Sequence, residues 1–154
     1  MADQKDKIKI LLVDDEQDFV NALSERIKIR KLDSEIAYNG EQALQFIEDH
    51  EPDVIILELK MQGIDGFEIL KSVKRNYPKT EVIILTSHTT ERDKIKAQKL
   101  GVFGYLPKPI DVDALIDSIK FAYKKKNKTT TVAEARDGDA HRNISEMWRD
   151  KFLN

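Results

Sequence analysis

The sequence contains no cysteine among its 154 residues. Disulfides, thiolate nucleophiles and cysteine-bound metal ions are therefore excluded for this chain, and a reducing cytoplasm is the compartment that we expect. No apolar run approaches the roughly 18–20 residues that a membrane-spanning helix needs. The first residues also lack the pattern of a signal peptide. We accordingly expect no membrane partner.

The sequence also lacks an excess of charge of one sign. It has 26 basic and 28 acidic residues, which gives a formal net charge of −2. No global field then attracts nucleic acid or anionic lipid, and we expect no direct binding of nucleic acid. Hydrophobic residues make up 40% of the chain. A chain of this length and composition predicts about one domain with a single core.

Hydrophobic periodicity alternates between short apolar runs and helical stripes. The predicted strands span residues 8–13, 34–38, 54–57, 81–85 and 102–106. The predicted helices span residues 16–31, 41–48, 67–77, 91–100 and 111–124. This alternation predicts an α/β fold, a doubly wound five-stranded parallel sheet with helices on both faces.

The chain divides into a core domain and a C-terminal extension. We assign residues 1–125 to the domain and residues 126–139, which are rich in threonine and charge, to a linker. For residues 140–154 we predict an amphipathic helix. The lysines at 124–126 are interpreted as a cationic end of the fifth helix.

Polar residues follow four of the predicted strands, at the ends where ligands bind in open α/β sheets. They are Asp14, Asp15, Glu16, Glu58, Thr86 and Lys108. Asp53 and Glu81 instead precede their strands, and we interpret them as solvated charges at the opposite edge. An acidic pair after a strand is by itself often only a helix cap. Several such groups at one edge are more specific.

The chemistry of this group suits a phosphoryl group. Clustered acids repel each other unless a cation or a proton intervenes, and oxygen ligands without histidine or cysteine suit Mg²⁺. A lysine and a hydroxyl opposite the acids can neutralise and orient phosphoryl oxygens.

These residues resemble the receiver domain of two-component response regulators, the CheY-like family. The resemblance rests on residues 10–16, 52–57, 84–87 and 105–109. It implies a sheet of order 2-1-3-4-5 and a phosphoryl-accepting signalling switch rather than an enzyme. It further implies Mg²⁺ held by Asp14, Asp15, the acid at position 58 and the backbone carbonyl of Lys60.

The resemblance also assigns roles to other residues of the cluster. Thr86 would engage the phosphoryl group, and Lys108, before a cis proline, would pair with it. Tyr105 would be an aromatic switch that turns inward, although a half-buried strand aromatic is the alternative. Lys60 and His88 would face the path of the hydrolytic water, and His88 is equally interpreted as an exposed loop residue.

Glu58 departs from the family pattern, which has an aspartate as phosphoacceptor at this position. The extra methylene moves the carboxylate by roughly 1–1.5 Å, and about 1 Å of misplacement can cost around a hundredfold in rate. Three interpretations stay open. Glu58 mimics the phosphorylated state, marks a pseudo-receiver that works through protein contacts without phosphorylation, or leaves the domain non-phosphorylatable and resting.

The expected partners are a histidine kinase or phosphotransfer protein upstream, and a protein target or second copy downstream. The downstream contact would use the fourth helix, fifth strand and fifth helix. Two alternatives are a small Mg²⁺-dependent phosphohydrolase and a flavodoxin-like cofactor carrier. The segment Asp14-Asp15-Glu16-Gln17 lacks the signatures that either would need.

Overall fold

The computed structural model describes residues 7–131, and the side chains up to residue 128. The strands are β1 (Ile10–Val13), β2 (Ser34–Ala37), β3 (Val54–Leu57), β4 (Glu81–Thr86) and β5 (Gly104–Pro107). The helices are α1 (Gln17–Ile29), α2 (Gly40–His50), α3 (Gly66–Asn76), α4 (Glu91–Lys99) and α5 (Val112–Thr131). The predicted number and alternation of elements are confirmed. Within this part of the chain, every helix is too short or too polar to cross a bilayer.

The five strands form one parallel sheet of order β2-β1-β3-β4-β5, as predicted. The register pairs Val13 with Leu57, Leu57 with Ile84, and Thr86 with Pro107. The carboxyl ends of β1, β3, β4 and β5 therefore lie along one edge. Since the strand order reverses at β1, a crevice opens beside it at that edge.

Successive strand residues point to opposite faces of the sheet. Because helices cover both faces, the side chains on each face are buried. Leu12 belongs to the core layer beneath α1 and α5, whereas Leu11 belongs to the layer beneath α2, α3 and α4. Both leucines are almost completely buried. This double burial explains why β1 and β3 are continuous apolar runs in the sequence, whereas the edge strand β2 is only partly buried and includes Ser34 and Glu35.

Four helices begin with a side-chain cap, which satisfies a free N–H group of the first turn. At the start of α5 the Asp111 carboxylate accepts a hydrogen bond from the N–H of Ala114 at 3.1 Å. Asn39 accepts a hydrogen bond from the backbone of Gln42, and Thr90 accepts one from Asp93. Asp65, which precedes α3, accepts one from the N–H of Phe67 at 2.9 Å. The N-cap of α1, Glu16, makes no side-chain capping bond.

The prediction that Asp53 and Glu81 are solvated is wrong. They are only 9% and 4% exposed at the amino edge of the sheet. The Asp53 carboxylate accepts hydrogen bonds from Lys126 Nζ at 2.5 Å and from the Lys9 N–H at 2.8 Å. Glu81 Oε1 lies 3.6 Å from Lys125 Nζ. Lysines of α5 cover this edge and neutralise both acids.

The helix α5 is predicted from the sequence to end at residue 124, but it continues to Thr131. The ion pairs of Lys125 with Glu81 and of Lys126 with Asp53 stabilise the helix beyond residue 124. The lysines at 124–126 lie within the helix instead of ending it, so their interpretation as a helix-end cap is wrong. Residues 126–131, assigned to a linker from the sequence, belong to α5. The remainder of that linker and the amphipathic helix predicted for 140–154 lie outside the described residues.

Candidate functional site

The strand ends bring two buried acids and one lysine into direct contact. Lys108 Nζ lies 2.8 Å from Asp14 Oδ2 and 2.9 Å from Glu58 Oε1. Its third partner is Glu16 Oε1, at 2.6 Å. The side chains of Asp14, Glu58 and Lys108 are each no more than 7% exposed, whereas that of Glu16 is 60% exposed. We call these four residues the acid pocket.

The backbone around Glu58 fixes its position. Its N–H donates to the carbonyl of Val13 at 3.0 Å, which continues the pairing of β3 with β1. Its second carboxylate oxygen, Oε2, accepts a hydrogen bond from the N–H of Lys60 at 3.1 Å. Gly66, at the start of α3, packs so closely that a Cβ there would lie 2.5 Å from the Glu58 carbonyl oxygen. The following loop is thereby held against the strand end.

Lys108 reaches the acids from the loop after β5. Its N–H donates to the carbonyl of Thr86 at 2.9 Å, and the Lys108–Pro109 peptide bond is cis, as the resemblance implied. The ammonium also lies 4.4 Å from the centre of the Phe19 ring. An aromatic face at this distance attracts a cation and shields it from water.

Burial and charge oppose each other in setting the pKa values of the acid pocket. Burial raises the pKa of Asp14, and the hydrogen bond from Lys108 only partly offsets this. Burial alone would lower the pKa of Lys108, but the hydrogen bonds to Asp14, Glu16 and Glu58 together outweigh it and raise that pKa. The ammonium therefore stays charged across the physiological range.

The carboxylates of the acid pocket have the chemistry of a magnesium site. One oxygen each from Asp14, Glu16 and Glu58 lie within 4.8 Å of one another. Such hard oxygen donors suit Mg²⁺. Asp15, a predicted ligand, is not one of these three, and its Oδ2 accepts a hydrogen bond from the N–H of Gln62 at 3.2 Å.

The sequence did not predict the contact of Glu16 with Lys108 or the side-chain partner of Lys60. The sequence indicated Glu16 only as part of an acidic run and gave it no role. The backbone carbonyl of Lys60 stays a predicted ligand, while the Lys60 side chain forms an ion pair with Asp93 at 3.3 Å.

The two predicted switch residues are both buried. Thr86 is fully buried, and its hydroxyl accepts a hydrogen bond from the N–H of His88 at 3.1 Å. His88 itself is exposed. Tyr105 points inward with 3% exposure, and its hydroxyl has no hydrogen-bond partner among the described residues. Burial, with smaller contributions from Asp93 and Glu58, raises the pKa of Tyr105 to about 12.

Known proteins share this fold and sequence pattern. An NtrX-like response regulator of Rickettsia felis is 33% identical over 118 residues, which are 75% of this chain and 25% of that protein. This chain therefore spans about a quarter of the length of such relatives.

Two solved structures extend the comparison. The receiver domain of the Francisella response regulator 1452 has a TM-score of 0.71 and 30% identity, covering 77% of this chain and 98% of that one. NtrX from Brucella abortus has a TM-score of 0.76 and 25% identity, covering 84% of this chain and 29% of that one. The family model of the response regulator receiver domain matches residues 10–120 of this chain. The chain therefore belongs to the response regulator receiver domain family, which acts in two-component signalling.

Proposed function

We propose that this receiver domain is a signalling switch in which Glu58 imitates a phosphorylated aspartate and favours the active form. The contact of Glu58 Oε1 with Lys108 Nζ at 2.9 Å carries the proposal. In this family the lysine pairs with the phosphoryl group. Here a carboxylate one methylene longer than aspartate reaches the ammonium without any phosphate.

The position of Tyr105 supports mimicry over a resting, blocked site. A resting domain is expected to hold this aromatic residue outward, and Tyr105 is 3% exposed. The cost of burying its hydroxyl without a partner must be offset by the packing of the ring. That Thr86 moves towards the acid pocket in the active form stays part of the proposal.

The site also supports a role for Mg²⁺, which would neutralise phosphoryl oxygens when bound. We propose Asp14, Asp15, the carboxylate of residue 58 and the Lys60 carbonyl as its ligands. Asp14 and Glu58 are buried next to each other, which places two of these donors at one point. Asp15 follows Asp14 in the sequence, two residues after the end of β1, and is partly exposed.

The partners follow from the family and from the longer relatives. We propose that a histidine kinase or phosphotransfer protein acts upstream, as for aspartate-bearing receivers. Downstream, α4, β5 and α5 would contact a protein target or a second copy. Ile95 on α4 and Phe121 on α5 are 44% and 42% exposed, which gives this face an apolar component.

The experiment is to convert Glu58 to aspartate and offer a phosphodonor. With acetyl phosphate and Mg²⁺, Glu58→Asp should gain the mass of one phosphoryl group, and the parent chain should gain none. Glu58→Asn, which has no carboxylate, is the matched control. A folded Glu58→Asp variant that gains no mass would contradict the proposed site and favour a pseudo-receiver.

The phosphohydrolase alternative has its own test. Steady turnover of a phosphomonoester by the parent chain, abolished in Asp14→Ala, would replace the signalling proposal with an enzyme.

A further inference from the structure

Glu16 lies at the mouth of the acid pocket, and its side chain binds Lys108 instead of its own helix. The Glu16 backbone is the N-cap of α1, and its N–H donates to Asp14 Oδ1 at 2.9 Å. The side chain makes no capping bond. Its contact with Lys108 Nζ, at 2.6 Å, is the shortest of the three ammonium contacts. Fixing the backbone in this way directs the carboxylate across the pocket.

The ammonium of Lys108 has three protons, and each has a carboxylate acceptor. The acceptors are Asp14, Glu16 and Glu58, at 2.6 to 2.9 Å. Asp14 and Glu16 belong to the pocket whatever residue stands at position 58. With Glu58 in place, Glu16 and Glu58 together supply the charge around the ammonium that remains beside that of Asp14.

That remaining charge matches a phosphoryl group. A phosphoryl group adds about −1.5 to −2 near neutral pH, whereas Glu58 alone carries −1. We infer that Glu16 is a positioning residue that completes the mimicry. It supplies the second negative charge and helps to hold Lys108 where the active form needs it. This inference rests on the proposed function of Glu58.

Glu16 can shift the switch only if it binds Lys108 more strongly in the active form than in the resting form. Because its side chain is 60% exposed, the pair is partly screened by water. Pairs of this kind change an equilibrium by about 1.5- to 5-fold. The effect of Glu58, which is 4% exposed, should be larger.

The experiment measures the inward and outward populations of Tyr105 in the full chain, by NMR of ¹³C-labelled tyrosine rings. Glu16→Gln keeps the side-chain size and removes the charge. It should lower the inward-to-outward ratio by about 1.5- to 5-fold, and Glu58→Gln should lower it further. The control is Glu25→Gln, which removes the same charge from an exposed site on α1 and should leave the ratio unchanged.

Salt separates an electrostatic role from a structural one. The difference between parent and Glu16→Gln should shrink as salt is added, because partly exposed charges are screened. A difference that persists in high salt, or no difference at all, overturns the inference. If Glu58→Gln shifts Tyr105 and Glu16→Gln does not, only the inference fails. If neither variant shifts Tyr105, the proposed function fails with it.

Discussion

Removing the ammonium from the acid pocket should destabilise the domain and make its stability depend on Mg²⁺. Lys108→Met keeps most of the side-chain volume and leaves Asp14 and Glu58 buried without their cation. Their nearest ligand oxygens lie within 4.8 Å of each other. At an effective dielectric constant near 20, two charges at that distance repel by about 3.5 kcal/mol. Breaking a buried ion pair generally costs a similar amount.

We therefore expect Lys108→Met to lose about 3 kcal/mol of unfolding free energy at neutral pH. For a domain of this size that is roughly 12 °C in Tm. The loss should shrink towards acid pH. The pKa of Asp14 is already raised, and without Lys108 it rises further, so the folded state takes up a proton as the pH falls. Millimolar Mg²⁺ should restore part of the loss, because it binds only the folded pocket.

The assay is chemical unfolding followed by circular dichroism, with and without Mg²⁺, at acidic and neutral pH. Lys71→Met is the control, because the pair of Lys71 with Glu68 is exposed and 3.5 Å long. It should change the free energy of unfolding by no more than about 0.5 kcal/mol. A Lys108→Met variant as stable as this control, with no response to pH or Mg²⁺, would refute the idea of a charged, cation-dependent pocket.

Two further predictions concern substitutions of the buried acids Asp14 and Glu81. Asp14→Asn should raise the free energy of unfolding at neutral pH. Because burial holds the folded pKa of Asp14 above its ordinary 3.8, its contribution to stability is lost as the pH rises through that folded pKa. In unfolding curves recorded at a series of pH values, the difference in unfolding free energy between Asp14→Asn and the parent should therefore grow as the pH rises above about 4. A difference that is independent of pH would contradict this. Glu81→Gln should cost about 1–3 kcal/mol, since it leaves Lys74 and Lys125 facing a neutral group at the amino edge. Thermal unfolding measures this loss, and an unchanged Tm would show that these lysines do not need Glu81.

The sequence by itself determined the order and type of the elements in residues 7–131. Burial on both faces made β1 and β3 continuous apolar runs, Asn39-Gly40 marked the turn after β2, and Asp65 marked the start of α3. These signals are short-range, so periodicity and cap chemistry suffice to find them. The carboxyl-edge position of Asp14, Glu58 and Lys108 followed as well, since parallel strands end along one edge.

Tertiary structure decided the partners of each charge. In the sequence, Asp53 and Glu81 each precede an apolar run, and a solvated charge at the start of a strand shows the same pattern. Only the path of α5 brings Lys126 to Asp53 and Lys125 to Glu81. Likewise, an acidic run does not reveal which member reaches Lys108. Glu16 does so because the first turn of α1 directs it across the crevice. The partners in the ion pair of Asp53 with Lys126 are 73 positions apart in the sequence, and those in the ion pair of Glu16 with Lys108 are 92 positions apart. Such pairs depend on the folded path of the chain, which no local sequence pattern encodes.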